Sequence, residues 1–276
     1  MGLISTVIVA ILQGITELFP VSSLGHAVVL PPLLRLQDMD IRSEAFLPLL
    51  VVLHVGTAIA LMLYFWRDWL GILQAFFDRD PQRRGEQLRL LMLVIVGTIP
   101  AVIAGFLLER YVRQLFGSAV LAAFFLIVNG VLLFGVERLK QEGHNPITSL
   151  TMKDAAIIGL WQCLALVPGI SRSGATMAGG LLLGLKHEAA ARFSFLLATP
   201  IILGAAVLEV PKLMKTGEHV TSVALIGGVV AGVTAFIAIA VLMRWMKSHE
   251  FKALDPFAYY CMGFGALSLA LLTFGL

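Results

Sequence analysis

The sequence predicts an all-α integral membrane protein, with six transmembrane helices plus two re-entrant helical hairpins in an inverted repeat. Three observations lead there. First, the 276 residues are 59% hydrophobic and 13% charged, with a mean hydropathy of +0.92. Runs of roughly 20 apolar residues recur, the length that crosses a bilayer as a helix. Second, two polar, turn-forming clusters interrupt this apolar sequence: Gln13 to His26 and Pro168 to Thr176. Third, the basic residues sort unevenly onto the two faces that these segments imply.

Taken in order, residues 2–36 are apolar but break at Pro20 to Gly25. Each half is too short to cross, because proline removes a backbone donor and glycine loosens the helix. The segment therefore reads as half-helix, tip, half-helix. Spans follow at 45–66, 88–108 and 117–137. Residues 151–185 break at Pro168 to Gly174 and form the second hairpin, followed by spans at 189–210, 221–245 and 256–275. Irregular backbone at membrane depth is tolerated only where it is buried in protein or lines a wet cavity.

A hairpin returns to its own side and a span changes sides. One face then collects Arg67, Arg79, Arg83, Arg84, Arg89, Arg138, Lys140, Lys153, Lys186, Arg192, Arg244, Lys247 and Lys252. The other collects Arg35, Arg42, Arg110, Arg113, Lys212 and Lys215, and Arg172 stays inside the membrane. The richer face is predicted to be cytoplasmic, with both termini outside. Each half is one hairpin plus three spans, an odd number, so the halves are inverted. An offset of 148 relates Pro20 to Pro168, Ser23 to Ser171 and Gly56 to Gly204. The expected organisation is one polytopic membrane domain, 1–276, with halves at about 1–137 and 151–276. No soluble domain, linker or low-complexity tail is evident. With no Lys or Arg before Arg35, the first segment lacks the basic lead of a signal peptide and reads as part of the fold.

The formal charge of +3 gives no reason to expect a nucleic-acid partner. Cys163 and Cys261 lie in apolar segments and read as packing residues, without a disulfide framework. Trp66, Trp69, Tyr259 and Tyr260 read as interfacial anchors in contact with membrane lipid, and Arg79 to Arg89 as a solvated loop near anionic lipid.

The clusters carry the chemistry. Ser22 or Ser23 can cap the second half-helix of the first hairpin, and Ser171 or Ser173 that of the second. Both helix N-termini then point inward with unpaired N–H groups, which suits an anion. Arg172 adds a planar cation matched to phosphate oxygens. Gly169 and Gly174 would let a ligand approach the backbone, and Thr176 adds a hydroxyl. A phosphate or diphosphate fits best. Gln13 and Glu17 share a helical face, and Glu17 and His26 flank the first tip. Carboxylate, imidazole and hydroxyl can converge there to position a nucleophile or protonate a leaving group. A carboxylate with an amide can also hold a hard divalent cation.

Plainer readings compete. Glu17 and Arg172 can be a buried ion pair joining the halves. Membrane hydroxyls often bond only to neighbouring helices. His54, alone in a span, reads as structural, and Gln162 as packing near the second tip.

The segment Gln13 to His26, of the form [E/Q]-x-x-x-E-x-x-P-V-S-S-x-G-H, resembles the first signature of the bacterial undecaprenyl-diphosphate phosphatase family, also known for bacitracin resistance. Pro168 to Thr176, of the form P-G-x-S-R-S-G-x-T, resembles its second signature. The resemblance implies an inner-membrane enzyme that hydrolyses undecaprenyl diphosphate to undecaprenyl phosphate and inorganic phosphate. That reaction recycles the lipid carrier for cell-wall synthesis. It also implies a divalent cation, Mg²⁺ or Ca²⁺, and an active site facing outward. Glu17, Ser23, His26 and Arg172 match the catalytic positions, with Glu17 the candidate metal ligand. Gln13, Ser22, Gly25, Gly169, Ser171, Ser173, Gly174 and Thr176 form the expected substrate-binding set. Gln13 stands where many relatives carry glutamate, which places more weight on Glu17. The nucleophile stays open among Ser23, His26 and water. The alternatives are a lipid-phosphate or anion carrier without chemistry, and a scaffold for wall-synthesis enzymes. A homo-oligomer is compatible with all three.

Overall fold

A computed structural model describes residues 2–34, 46–115, 118–140, 143–214, 218–249 and 251–275. Arg35, Arg42 and Lys215 of the charge count lie outside the described residues. The described residues fold into α-helices with no strand.

The first two helices are α1 (Leu3–Thr16) and α2 (Ser23–Leu33), joined by the turn through Glu17 and Pro20. At 14 and 11 residues they reach only about 21 and about 17 Å, against a hydrocarbon core of about 30 Å. They are followed by α3 (Phe46–Tyr64), α4 (Trp66–Ala75), α5 (Pro81–Leu115) and α6 (Ala119–Leu139). The second half opens with α7 (Met152–Cys163) and α8 (Arg172–Leu182), again a short pair around a turn. It closes with α9 (His187–Met214), α10 (Glu218–Ser248) and α11 (Asp255–Phe274). All six expected spans coincide with long helices. Five of these are long and apolar enough to cross a membrane, and a sixth is added when α3 and α4 are taken as one bent element. The 72° bend between those two falls at the end of the first expected span and not at either expected hairpin tip.

Local sequence sets the helix ends. Pro81 starts α5, where its missing N–H is no loss. Ser118 caps α6 by accepting from Leu121 N–H. Thr151 and Asp154 form a reciprocal capping box at α7. Gly275 ends α11 in the left-handed conformation.

Each half thus runs as a short helix pair followed by three long helices, with α4 as an extra element in the first. The packing has a matching pattern: α1 lies on α10 as α7 lies on α5, while α3 meets α9 and α6 meets α11. Small residues permit the closest approach, since a Cβ on Gly56 of α3 would collide with the backbone of Gly228 on α10. At the end of α6, buried Glu137 accepts from Lys140 Nζ (2.8 Å), His187 Nε2 (3.1 Å) and Leu254 N–H (3.4 Å). Next to it, Arg138 pairs with Asp255. These contacts tie α6 to the starts of α9 and α11. The core and the two tips lie between the long helices, and both tips are buried.

Candidate active site

The two tips are held by their own caps and by each other. Ser22 Oγ accepts from Gly25 N–H at 3.2 Å, and Ser171 Oγ accepts from Gly174 N–H at 3.1 Å. Of the two capping serines open in each cluster, Ser22 and Ser171 are therefore the ones used. They stand 149 apart in the chain, one residue away from the offset of 148 that pairs the prolines. Each cap leaves the first N–H groups of its helix without an intrahelical acceptor. Gly25 and Gly169 touch across the interface: a Cβ on Gly25 would sit 3.0 Å from Gly169 Cα. Ser173 Oγ donates toward Glu17 O and Phe19 O, each at 3.3 Å.

One residue outside both clusters locks them together. Asn129 of α6 is fully buried. Its Nδ2 donates to Pro20 O at 3.0 Å, and its Oδ1 accepts from Ser171 N–H at 2.9 Å. A single side-chain amide thereby satisfies one backbone group from each tip.

At the junction sits Glu17. Its Oε1 accepts from Arg172 Nη2 at 2.9 Å. Its Oε2 accepts from Ser23 Oγ at 2.6 Å and Gln13 Nε2 at 3.2 Å, and lies 3.1 Å from His54 Nε2. Arg172 is steadied in turn by Ser194 O at 3.1 Å. The ion pair joining the halves is present, with a hydroxyl, an amide and an imidazole gathered on the same carboxylate.

Glu17, Ser22, Ser23, His54, Gln162, Ser171 and Arg172 form the polar wall of a cavity of about 260 Å³. Its other wall is apolar and includes Leu50, Val51, Ala101, Ile170, Ile201 and Ala205. Both capped N-termini, α2 and α8, reach this cavity. Such a space matches an amphiphile with an anionic head.

The other expected site residues stand back from the cavity. Gln13 lies behind Glu17, with its Oε1 buried and met by no donor. Thr176 Oγ1 donates to Ser194 Oγ at 2.6 Å, and Ser173 Oγ shares a hydrogen bond with Ser171 Oγ at 3.0 Å. Gly169, at φ +105°, turns the backbone in a region only glycine enters freely, and it abuts α6 at Ala122 and Phe125. Gly174 fits against Leu133 and Pro20. These glycines admit protein where the sequence suggested a ligand.

His26 departs most from expectation. The carboxylate, hydroxyl and His26 imidazole do not converge, because His26 turns toward α11. Its Nδ1 donates to Ser22 O at 2.7 Å, its Nε2 lies 2.9 Å from Tyr260 Oη, and its ring stacks on Phe264 at 4.8 Å. Tyr260, expected as a lipid anchor, has its hydroxyl on this histidine. The imidazole that reaches Glu17 is His54 of α3. Its i−4 partner is Leu50 O, at 2.6 Å from Nδ1. Sequence reasoning missed this role because nothing near His54 in the chain marks it, and the contact spans 37 positions. Asn129 was missed for the same reason; its one visible signal is an amide in an otherwise apolar span.

A model of the bacitracin resistance protein BacA family matches residues 6–267. The chain belongs to this family. Relatives named undecaprenyl-diphosphatase resemble it along nearly their whole length. The protein of Gluconacetobacter diazotrophicus is 54% identical, covering 99% of this chain and 98% of its own. That of Granulibacter bethesdensis is 51% identical, covering 97% of each. That of Acidiphilium cryptum is also 51% identical, covering 98% of each. Both BacA-like signatures lie inside the matched region, and both form the tips described above.

Proposed function

We propose that this multi-pass membrane protein is an undecaprenyl-diphosphate phosphatase: it hydrolyses undecaprenyl diphosphate to undecaprenyl phosphate and inorganic phosphate, with the diphosphate seated at the two tips. The observation that carries this reading is the 2.6 Å hydrogen bond from Ser23 Oγ to Glu17 Oε2 at the wall of an amphiphilic cavity. It is a nucleophile–base pair beside a guanidinium and two helix N-termini. A carrier needs anion ligands but has no use for such a pair.

Arg172 and the first N–H groups of α2 and α8 bind the phosphates and stabilise the charge that develops on the transferring phosphoryl group. Ser171 and Ser22 shape those N-termini as caps. Ser23 Oγ attacks the terminal phosphorus and passes its proton to Glu17. The bond to the bridging oxygen breaks, and its electron pair leaves with undecaprenyl phosphate. Glu17 gives its proton to the departing phosphate oxygen and is a base again. Water then attacks the phosphorus on Ser23; Glu17 takes the water's proton and returns it to Ser23 Oγ as inorganic phosphate leaves. His26, held between Ser22 O and Tyr260, supports the backbone of the first tip and is not the nucleophile.

A divalent cation suits the donor set only in company with the substrate. Among the described residues no three His, Cys, Asp or Glu side chains cluster for a metal. Glu17 would give one carboxylate, and Gln13 Oε1, buried behind it with no donor, would give a carbonyl oxygen only by turning toward the cavity. Diphosphate oxygens would supply the rest of the shell, as is usual for Mg²⁺. When bound, such an ion neutralises phosphate charge.

The isoprenoid tail runs along the apolar wall of the cavity. The protein lies in the bacterial inner membrane with this cavity open to the outer side, recycling the carrier for wall synthesis and conferring bacitracin resistance. Its two halves, about 1–137 and 151–276, are an inverted repeat. Phosphate release from undecaprenyl diphosphate by purified protein tests the reading. Arg172→Ala is expected to lose about 10²–10³-fold in kcat, the scale of one charge-stabilising donor. Glu17→Ala is expected to lose up to about 10⁴-fold, the ceiling for a general base. Near-normal rates in both folded variants would refute the mechanism.

A further inference from the structure

Glu17 must serve two partners at once in the proposed hydrolysis. Oε1 holds Arg172, and Oε2 must stay on Ser23 to take its proton. Arginine offers a fork that matches both oxygens of a carboxylate, so a free Glu17 would rotate toward a two-point pairing with Arg172. That rotation would draw Oε2 off Ser23.

His54 stands where it opposes this. It projects from α3, a long helix clamped between α9 and α10. Its Nδ1 donates to Leu50 O at 2.6 Å, which fixes the ring plane. Its Nε2 is 3.1 Å from Glu17 Oε2, the same oxygen that Ser23 reaches. The side chain is only 15% exposed and lines the cavity, so the ring has little room to turn away.

We propose that His54 is a positioning residue for the phosphatase reaction: as an imidazolium, donating Nδ1–H to Leu50 O and Nε2–H to Glu17 Oε2, it pins that oxygen on the Ser23 side and keeps the carboxylate split between nucleophile and arginine. This rests on the hydrolytic reading above. The role is donation from a fixed point, so a different donor at that point should fill it. A glutamine amide reaches about as far as Nε2. A methionine fills the volume and donates nothing. An asparagine amide can satisfy Leu50 O but falls short of Glu17.

The test is phosphate release from undecaprenyl diphosphate by purified wild type, H54Q, H54M and H54N, compared only among variants that melt as wild type does. H54M is expected to lower kcat about tenfold to a hundredfold with KM nearly unchanged, the scale of a reacting group displaced by about 1 Å. H54Q is expected to recover most of that loss, and H54N to behave as H54M and replace it if H54M does not fold. On a Glu17→Gln background, His54→Met should cost nothing more, because its action passes through the carboxylate. Wild-type kcat in H54M and H54N would overturn the inference. So would an H54Q as slow as H54M, which would mean the imidazole itself is required. No release by wild type would instead strike the hydrolytic reading on which the inference depends.

Discussion

At the scale of single residues, Glu17 is the pivot of the molecule. A carboxylate this deep in a membrane is costly unless paired, and here four donors from three separate parts of the chain converge on it. The residue types of the site were legible in the sequence: an acid before Pro20, two serines after it, and an arginine between two serines in the second cluster. Their partners were less so. The spacing around the first tip and the resemblance both pointed to His26, which sits beside the right serines, yet the first turn of α2 carries it round to Tyr260. The side that faces the cavity is filled from α3 by His54. Helical phase decides this, and a one-dimensional motif does not contain the position of a distant helix. A variant that separates the two histidines is His26→Asn. If His26 only supports the tip, its loss lowers the melting temperature and reduces kcat in proportion to folded protein; if it took part in proton transfer, kcat would fall in fully folded protein.

At the scale of elements, the two broken helices were legible from Pro, Gly and Ser alone, and their capping serines fall where the sequence allowed. Their mutual fit was not, because it depends on α6. Asn129 gives its amide to one tip and its carbonyl to the other. Asn129→Leu would strand the Ser171 N–H, at about 1–3 kcal/mol for a buried group left unsatisfied, and leave Pro20 O with only the weak 3.9 Å contact of Cys261 Sγ. Thermal melting in detergent should show that loss together with reduced kcat; unchanged melting would mean the tips hold without it. Ser171→Ala removes a single cap and is expected to cost about 1 kcal/mol, a smaller shift than Asn129→Leu. The bend between α3 and α4 escaped the sequence reading because Tyr64, Phe65 and Trp66 carry no proline or glycine to announce it.

At the scale of the whole molecule, the order of a short pair followed by three long helices occurs twice, and the same order was visible in hydropathy. Charge is the part of the sequence that speaks to orientation, since Lys and Arg are retained on the cytoplasmic side. A cysteine placed at Arg83, in the exposed start of α5, should react with a membrane-impermeant maleimide in inverted vesicles and not in intact cells. Labelling in intact cells would reverse the topology and turn the cavity inward.

The central claim is that the junction of the tips is a hydrolytic site. The most direct measurement is phosphate release from undecaprenyl diphosphate by the purified protein in detergent, with Mg²⁺ or Ca²⁺ and with chelator, beside Ser23→Ala and Glu17→Gln. Release by wild type that falls by at least about 10²-fold in both folded variants is the expected result. Equal release from wild type and both variants, or none from well-folded wild type, would contradict it.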